Sequence, residues 1–366
     1  MAPYQEIVAS LKAEWAPDKR VARFAPTIVW NEEKDCVILS GTTNLPGAAA
    51  QLRTRLQAAD LCFTDSLQQL PVSHFGADTL GLVKVSVANL RSQPKHSAEL
   101  ATQALMGMPL IVYDQQDNWY LVQTPDGYLA WLDVGAFVRM DQAGLDEFMA
   151  GRLGVVATPL AQVMDQPVRG KAIRDLSMGN ILQLAEQSGG MTRVVLPDGA
   201  SGYFASDAVI AFEDWQSKQT NLQISQLAQS FYGAPYLWGG TSAKGMDCSG
   251  FTKMAYWMNG FVIPRDASQQ VHAGTEVPID DDLSQLAPQD LLFFGTLRED
   301  GSQRVTHVGI YLGDGRFVHS GADNGFIMEQ SLFPGTKDYA DHRRKSLLRV
   351  KRLSVGSPGV KAFRRE

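Results

Sequence analysis

An α+β chain built from several small units is the fold the sequence predicts, on three observations. The chain has 366 residues, more than one ordinary hydrophobic core organises. Its middle third repeats the turn signature of a small all-β module. Its last third sets a cysteine at the start of a helical segment and two histidines on a hairpin. We expect a small α/β unit at 1–78, two β modules at 79–140 and 150–213, and a mixed unit at 221–353.

In the first unit, Ile28-Val29-Trp30 and Cys36-Val37-Ile38-Leu39 read as strands. Leu45-Pro46-Gly47 punctuates the chain, and Ala48 to Ala59 reads as a helix with Leu52 and Leu56 on one face. Leu61-Cys62-Phe63 returns as a strand. Three cysteines are too few for a disulfide scaffold. Cys36 and Cys62 lie in apolar stretches and are expected as buried free thiols, with a Cys36–Cys62 bridge as the alternative. No CxxC pair or His-rich spacing suggests a metal, and no cofactor is implied. We see no catalytic constellation in residues 1–78 and expect a packing or interaction role there.

The repeat is exact in its offset. Gly107, Pro125-Asp126-Gly127 and Ala130-Trp131-Leu132 in one copy match Gly179, Pro197-Asp198-Gly199 and Gly202-Tyr203-Phe204 in the other. Pro-Asp-Gly is a turn signal, and short β-type runs flank it: Trp119–Val122 and Arg193–Leu196 before, Ala130–Leu132 and Gly202–Phe204 after. These modules resemble bacterial SH3-like barrels, which often precede cell-wall hydrolase domains. Tyr128 has only Ala200 as its partner in the second copy, so its aromatic ring suggests a task beyond core packing.

After a polar linker at 214–220, a helix is expected from near Asn221, with Leu222, Leu227 and Phe231 toward a core. Met246-Asp247-Cys248-Ser249-Gly250-Phe251 then opens an apolar-periodic segment with Phe251, Met254, Ala255 and Met258. Cys248 therefore sits at a helix N-terminus, where free backbone N–H groups and the dipole favour a thiolate, the nucleophile of acyl transfer. Thr306-His307-Val308-Gly309-Ile310-Tyr311-Leu312 and Arg316-Phe317-Val318-His319-Ser320 form a hairpin around Gly313-Asp314-Gly315. A two-residue loop would set Ile310 opposite His319 and put the histidines on opposite faces. A three-residue loop would set Gly309 opposite His319, leaving the histidines as diagonal neighbours on one face. Glycine at the third loop position suits the longer loop. In that register one histidine can take the thiol proton while the other orients it.

Residues 221–353 resemble the NlpC-type cell-wall peptidases, a papain-like family. The resemblance rests on Tyr236-x-Trp238-Gly239-Gly240, Asp247-Cys248-Ser249-Gly250-Phe251, Pro264-Arg265-Asp266, Asp290-Leu291-Leu292-Phe293-Phe294 and His307-Val308-Gly309-Ile310-Tyr311. It implies hydrolysis of the γ-D-glutamyl–diamino acid bond in peptidoglycan stem peptides. Cys248 would be the nucleophile, His307 the base and His319 the orienting residue. The Cys248 N–H and the Tyr236 hydroxyl would hold the oxyanion. Barrels before such a domain resemble the dipeptidyl-peptidase VI subgroup (YkfC-like enzymes), which needs a free N-terminal L-Ala and acts in wall turnover or recycling. By that resemblance Tyr128, Glu99 and Asp266 would read the amine, Asp247 and Ser249 would shape the D-Glu pocket, and Trp238 would form a wall.

Three other readings are weighed. A non-catalytic wall-binding protein needs no Cys248, His307 and His319. An amidase or lipid acyltransferase would want an apolar groove, whereas Asp247, Arg265 and Asp266 suggest a polar peptide. A broad endopeptidase on intact wall would need an open groove end. The net charge of −6 argues against nucleic acid, and the basic Arg343-Arg344-Lys345 is read as a solvated face. There is no apolar run long enough to span a membrane. The first residues lack a signal-peptide layout, so the expectation is the cell envelope if such a signal was removed and the cytoplasm otherwise.

Overall fold

A computed structural model describes residues 3–33, 35–220 and 223–365. A helix over Pro3–Trp15 opens the chain. It was not anticipated, although Tyr4, Ile7, Val8, Leu11 and Trp15 trace one helical stripe. That stripe packs onto the helix Pro46–Ala58, where Leu52 and Leu56 are buried as expected. Beside them, strands Phe24–Asn31 and Cys36–Thr43 pair antiparallel, and the latter pairs parallel with Phe63–Asp65.

That parallel pairing corrects the cysteine assignment. Val37 lies opposite Phe63, so the residues before them start side by side. Cys36 and Cys62 form a disulfide, with Cα atoms 4.8 Å apart. Two thiols in apolar strands look alike whether or not the strands pair, so their apolar surroundings favoured the wrong alternative.

Two seven-stranded antiparallel sheets follow, one from Leu80 to Met140 and one from Leu153 to Ala211. In each, the Pro-Asp-Gly turn joins the paired strands that the repeat marks: Trp119–Gln123 to Leu129–Asp133, and Met191–Val195 to Ser201–Ala205. Gly127 and Gly199 take φ of 87° and 79° there, a region costly for residues with a Cβ. The other repeated glycine has a contact reason. A Cβ on Gly107 would lie 2.3 Å from the Ile181 carbonyl, because Ile181 N–H donates to Met106 where the two sheets meet.

The C-terminal unit layers helices on a six-stranded antiparallel sheet. Its strand order is Thr275–Val277, Leu347–Arg352, Leu291–Leu297, Gln303–Gly313, Arg316–Ser320, Ile327–Ser331. The helix Cys248–Trp257 packs against it and is buried along its length from Ser249 on. The preceding helix is described over Ile224–Gln229, with Phe231 buried just after it. Asn221 and Leu222, named for its start, lie outside the described residues.

Candidate active site

Asp247 caps the helix Cys248–Trp257. Its Oδ1 accepts from Gly250 N–H at 2.7 Å and its Oδ2 from Gly239 N–H at 3.0 Å. The same carboxylate is gripped by Arg265, at 2.6 Å from Nη2 and 3.1 Å from Nη1. Arg265 is fully buried and also donates to Ser249 Oγ and to Thr102 Oγ1 of the first barrel. A buried cation needs this density of partners, because desolvation alone would expel it. Asp247 and Ser249 therefore belong to a rigid floor under Cys248.

The hairpin resolves the two registers in an unexpected way. Gly313 pairs with Arg316 across the tight Asp314-Gly315 loop, yet the register shifts between Tyr311 and Gly313. Ile310 then faces Val318, which brings Gly309 opposite His319. The bulge thus delivers the register expected of the longer loop on the shorter turn. His307 Nε2 and His319 Nδ1 meet at 2.9 Å.

Gln330, which the sequence reading missed, completes the chain. It lies on the neighbouring strand opposite Phe317, two residues from His319 and so on the same face. Its Oε1 lies 2.8 Å from His319 Nε2. An amide oxygen only accepts, so His319 carries its proton on Nε2 and accepts on Nδ1. His307 must then donate from Nε2, which leaves its Nδ1 with the lone pair a base requires. The only sequence signal for Gln330 was a polar residue inside the last strand.

The backbone N–H groups of Val308, the residue after His307, and of Ser249 lie close enough to the Cys248 sulfur to favour its anion. Cys248 and His307 line one cavity of about 1060 Å³. Burial, and then the Asp247 carboxylate, push the thiol up to about 12. Burial, with His319, Arg343 and His342 nearby, holds His307 well below the ordinary imidazole value, and burial lowers His319 to about 4. Burial and the capping carboxylate thus act on the thiol against the pull of the helix dipole toward a thiolate. Burial, then Cys248 and Asp247, push Tyr236 up to about 12, so its hydroxyl stays a donor at the cavity wall.

The remaining sequence candidates, Glu99, Tyr128, Trp238 and Asp266, line the same cavity. Glu99 Oε1 accepts from Trp238 Nε1 at 2.7 Å, which joins the first barrel to the C-terminal unit. Tyr128 is buried near Asp266, and burial together with that carboxylate keeps its phenol protonated. The turn before Tyr128 is anchored by Asp126, whose Oδ2 takes a 2.7 Å bond from Lys253 of the helix Cys248–Trp257. Arg343 departs from the solvated face expected of it. Its side chain is 14% exposed, pairs with Asp323 at 3.1 Å and lines the cavity near His307. Among the described residues there is no cluster of metal-binding side chains, and no helix is long and apolar enough to cross a membrane.

A cysteine opening a buried helix, beside a histidine oriented through a second one, defines a papain-like cysteine hydrolase. Comparison with known proteins narrows the class. The NlpC/P60 family matches residues 233–343, and the bacterial dipeptidyl-peptidase SH3 domain matches 90–137. The gamma-D-glutamyl-L-lysine dipeptidyl-peptidase of Bacillus subtilis is 33% identical over 229 residues, covering 60% of this chain and 72% of that one. Dipeptidyl-peptidase 6 of Lysinibacillus sphaericus is 30% identical over 266 residues, covering 69% and 91%. A crystal structure of an NlpC/P60 family protein from Bacillus cereus covers 75% of this chain and 99% of its own, with a TM-score of 0.61 at 24% identity, a likeness of fold. The chain belongs to the NlpC/P60 family and is a cell-wall peptidase.

Proposed function

We propose that the chain hydrolyses the γ-D-glutamyl–diamino acid bond of peptidoglycan stem peptides bearing a free N-terminal L-Ala, in wall turnover or recycling. Cys248 is the nucleophile, and His307 Nδ1 takes its proton as the sulfur attacks. His319 and Gln330 hold the base in its tautomer. The Cys248 N–H, unpaired within its own helix, and the Tyr236 hydroxyl stabilise the oxyanion. His307 then returns the proton to the leaving amine, and water releases the γ-glutamyl acyl group.

One observation carries the substrate assignment. Tyr128, Glu99 and Asp266 line the same cavity as Cys248 and His307, bringing two carboxylates and a phenol donor to it. That chemistry suits an ammonium group. Near His307 the lining includes His342 and Arg343, with Arg343 paired to Asp323, a cationic character that suits the carboxylates of a diamino acid. The name of the Bacillus relative, a gamma-D-glutamyl-L-lysine dipeptidyl-peptidase, supports a bond of this type. The Cys36–Cys62 bridge supports an oxidising compartment such as the cell envelope.

The test compares L-Ala-γ-D-Glu-diaminopimelate with its N-acetylated form. The assignment requires a clear preference for the free peptide. Equal rates on both would remove the amine-reading roles and favour a broad wall endopeptidase.

A further inference from the structure

The carboxylate assigned to the substrate's amine already holds a cation. Arg20, on the segment between the first helix and first strand, donates from Nη1 to Asp266 Oδ2 at 2.7 Å and to Ser268 Oγ at 2.9 Å. Its Nε and Nη2 grip Asp18 at 2.8 and 2.7 Å, and Asp18 is fixed in turn by Gln269 Nε2 at 2.7 Å. The backbone is held as well. Arg20 O accepts from Leu129 N–H at 2.7 Å, one residue past Tyr128, and Val21 O accepts from Gln123 Nε2 at 3.2 Å. Lys12, Lys19, Arg20 and Arg23 all line the cavity from this side.

We propose that Arg20 is an internal competitor for the amine subsite, a specificity-determining residue that the N-terminal unit supplies to the peptidase. A substrate ammonium reaching Asp266 must displace the guanidinium or bind beside it, against like-charge repulsion. Residues 1–78 thereby weaken recognition of a free amine without touching the reacting atoms. The Asp18 and Ser268 contacts give Arg20 a place to remain when Asp266 is taken. The pair is partly open to water, with side chains 32% and 27% exposed, so the competition is modest and reversible. The proposal rests on the amine-reading assignment above.

Steady-state kinetics on the free and N-acetylated tripeptides test it, using full-length wild type, Arg20→Ala, Arg20→Lys and Asp266→Asn. Arg20→Ala is expected to lower KM for the free peptide about three- to fivefold, the size of a partly exposed ion pair. KM for the acetylated peptide should stay put, and Arg20→Lys, which keeps the charge, should stay near wild type. An unchanged or raised KM for the free peptide in Arg20→Ala, or an equal fall for both peptides, would overturn the proposal. Thermal melting of each variant checks that the segment still folds. A calorimetric titration of Cys248→Ala and Cys248→Ala/Arg20→Ala with the L-Ala-D-Glu product gives a second readout without turnover, and equal affinities would again overturn it. The underlying assignment fails by a different sign: Asp266→Asn would leave KM for the free peptide unchanged.

Discussion

At the scale of single residues, proton inventory explains why two histidines and a glutamine stand in a row. Gln330 fixes His319, which fixes His307. Replacing Gln330 by Leu lets His319 swap tautomers, so kcat should fall about tenfold or more while KM changes little. Wild-type kinetics beside the variant check this. The imidazole values set the pH response. His307 must be unprotonated to accept the thiol proton, and its environment depresses its protonation. The acid limb of kcat/KM is therefore expected below pH 6.5, the ordinary histidine value. Arg343→Ala removes one cation that opposes the imidazolium, so it should move that limb to higher pH. A limb that stays in place would show that Arg343 does not act on His307.

How much was legible differs residue by residue. Cys248, His307 and His319 could be read because each sits in a short local signature, and local backbone rules place a helix start and a hairpin. Gln330 could not, since its position depends on register across three strands and on a bulge that no turn residue announces. Arg20 could not either, because it lies 246 residues from Asp266 in the chain.

Among elements, the nucleophile helix is the hub. Asp247 at its start binds Arg265 and the Gly239 loop, and Lys253 nearly two turns later binds Asp126 of the barrel turn. The Lys253 and Asp126 side chains are 10% and 1% exposed. Lys253→Met strands a buried carboxylate and should cost about 3–5 kcal/mol in denaturant unfolding. The double variant with Asp126→Asn should recover much of that loss. If the double variant is as unstable as the single, the pair is not what ties the elements together. The strands flanking the Pro-Asp-Gly turns were readable as short β-type runs on either side of a turn signal. The first helix carried an equally clear stripe, but the opening residues were weighed only for a targeting signal. The disulfide was ambiguous until strand pairing set Cys36 beside Cys62. It closes a separation of 26 residues, so reducing it should cost about 3–4 kcal/mol in the chain-entropy account.

Across the whole molecule, three units meet at one cavity: the N-terminal unit through Arg20, the first barrel through Tyr128 and Glu99, the C-terminal unit through the cysteine–histidine pair. The second barrel stands behind them, bound to the first through Ile181 and Asn180, and braces the assembly. On the proposed function, the cleft that Cys248 lines reads a short charged peptide from its amine to its diamino acid. The most direct measurement is the mass of the products from L-Ala-γ-D-Glu-diaminopimelate with wild type, Cys248→Ala and His307→Ala. The account predicts L-Ala-D-Glu and free diaminopimelate from wild type and neither from the two variants. Scission at another bond, or products that persist in Cys248→Ala, would contradict it.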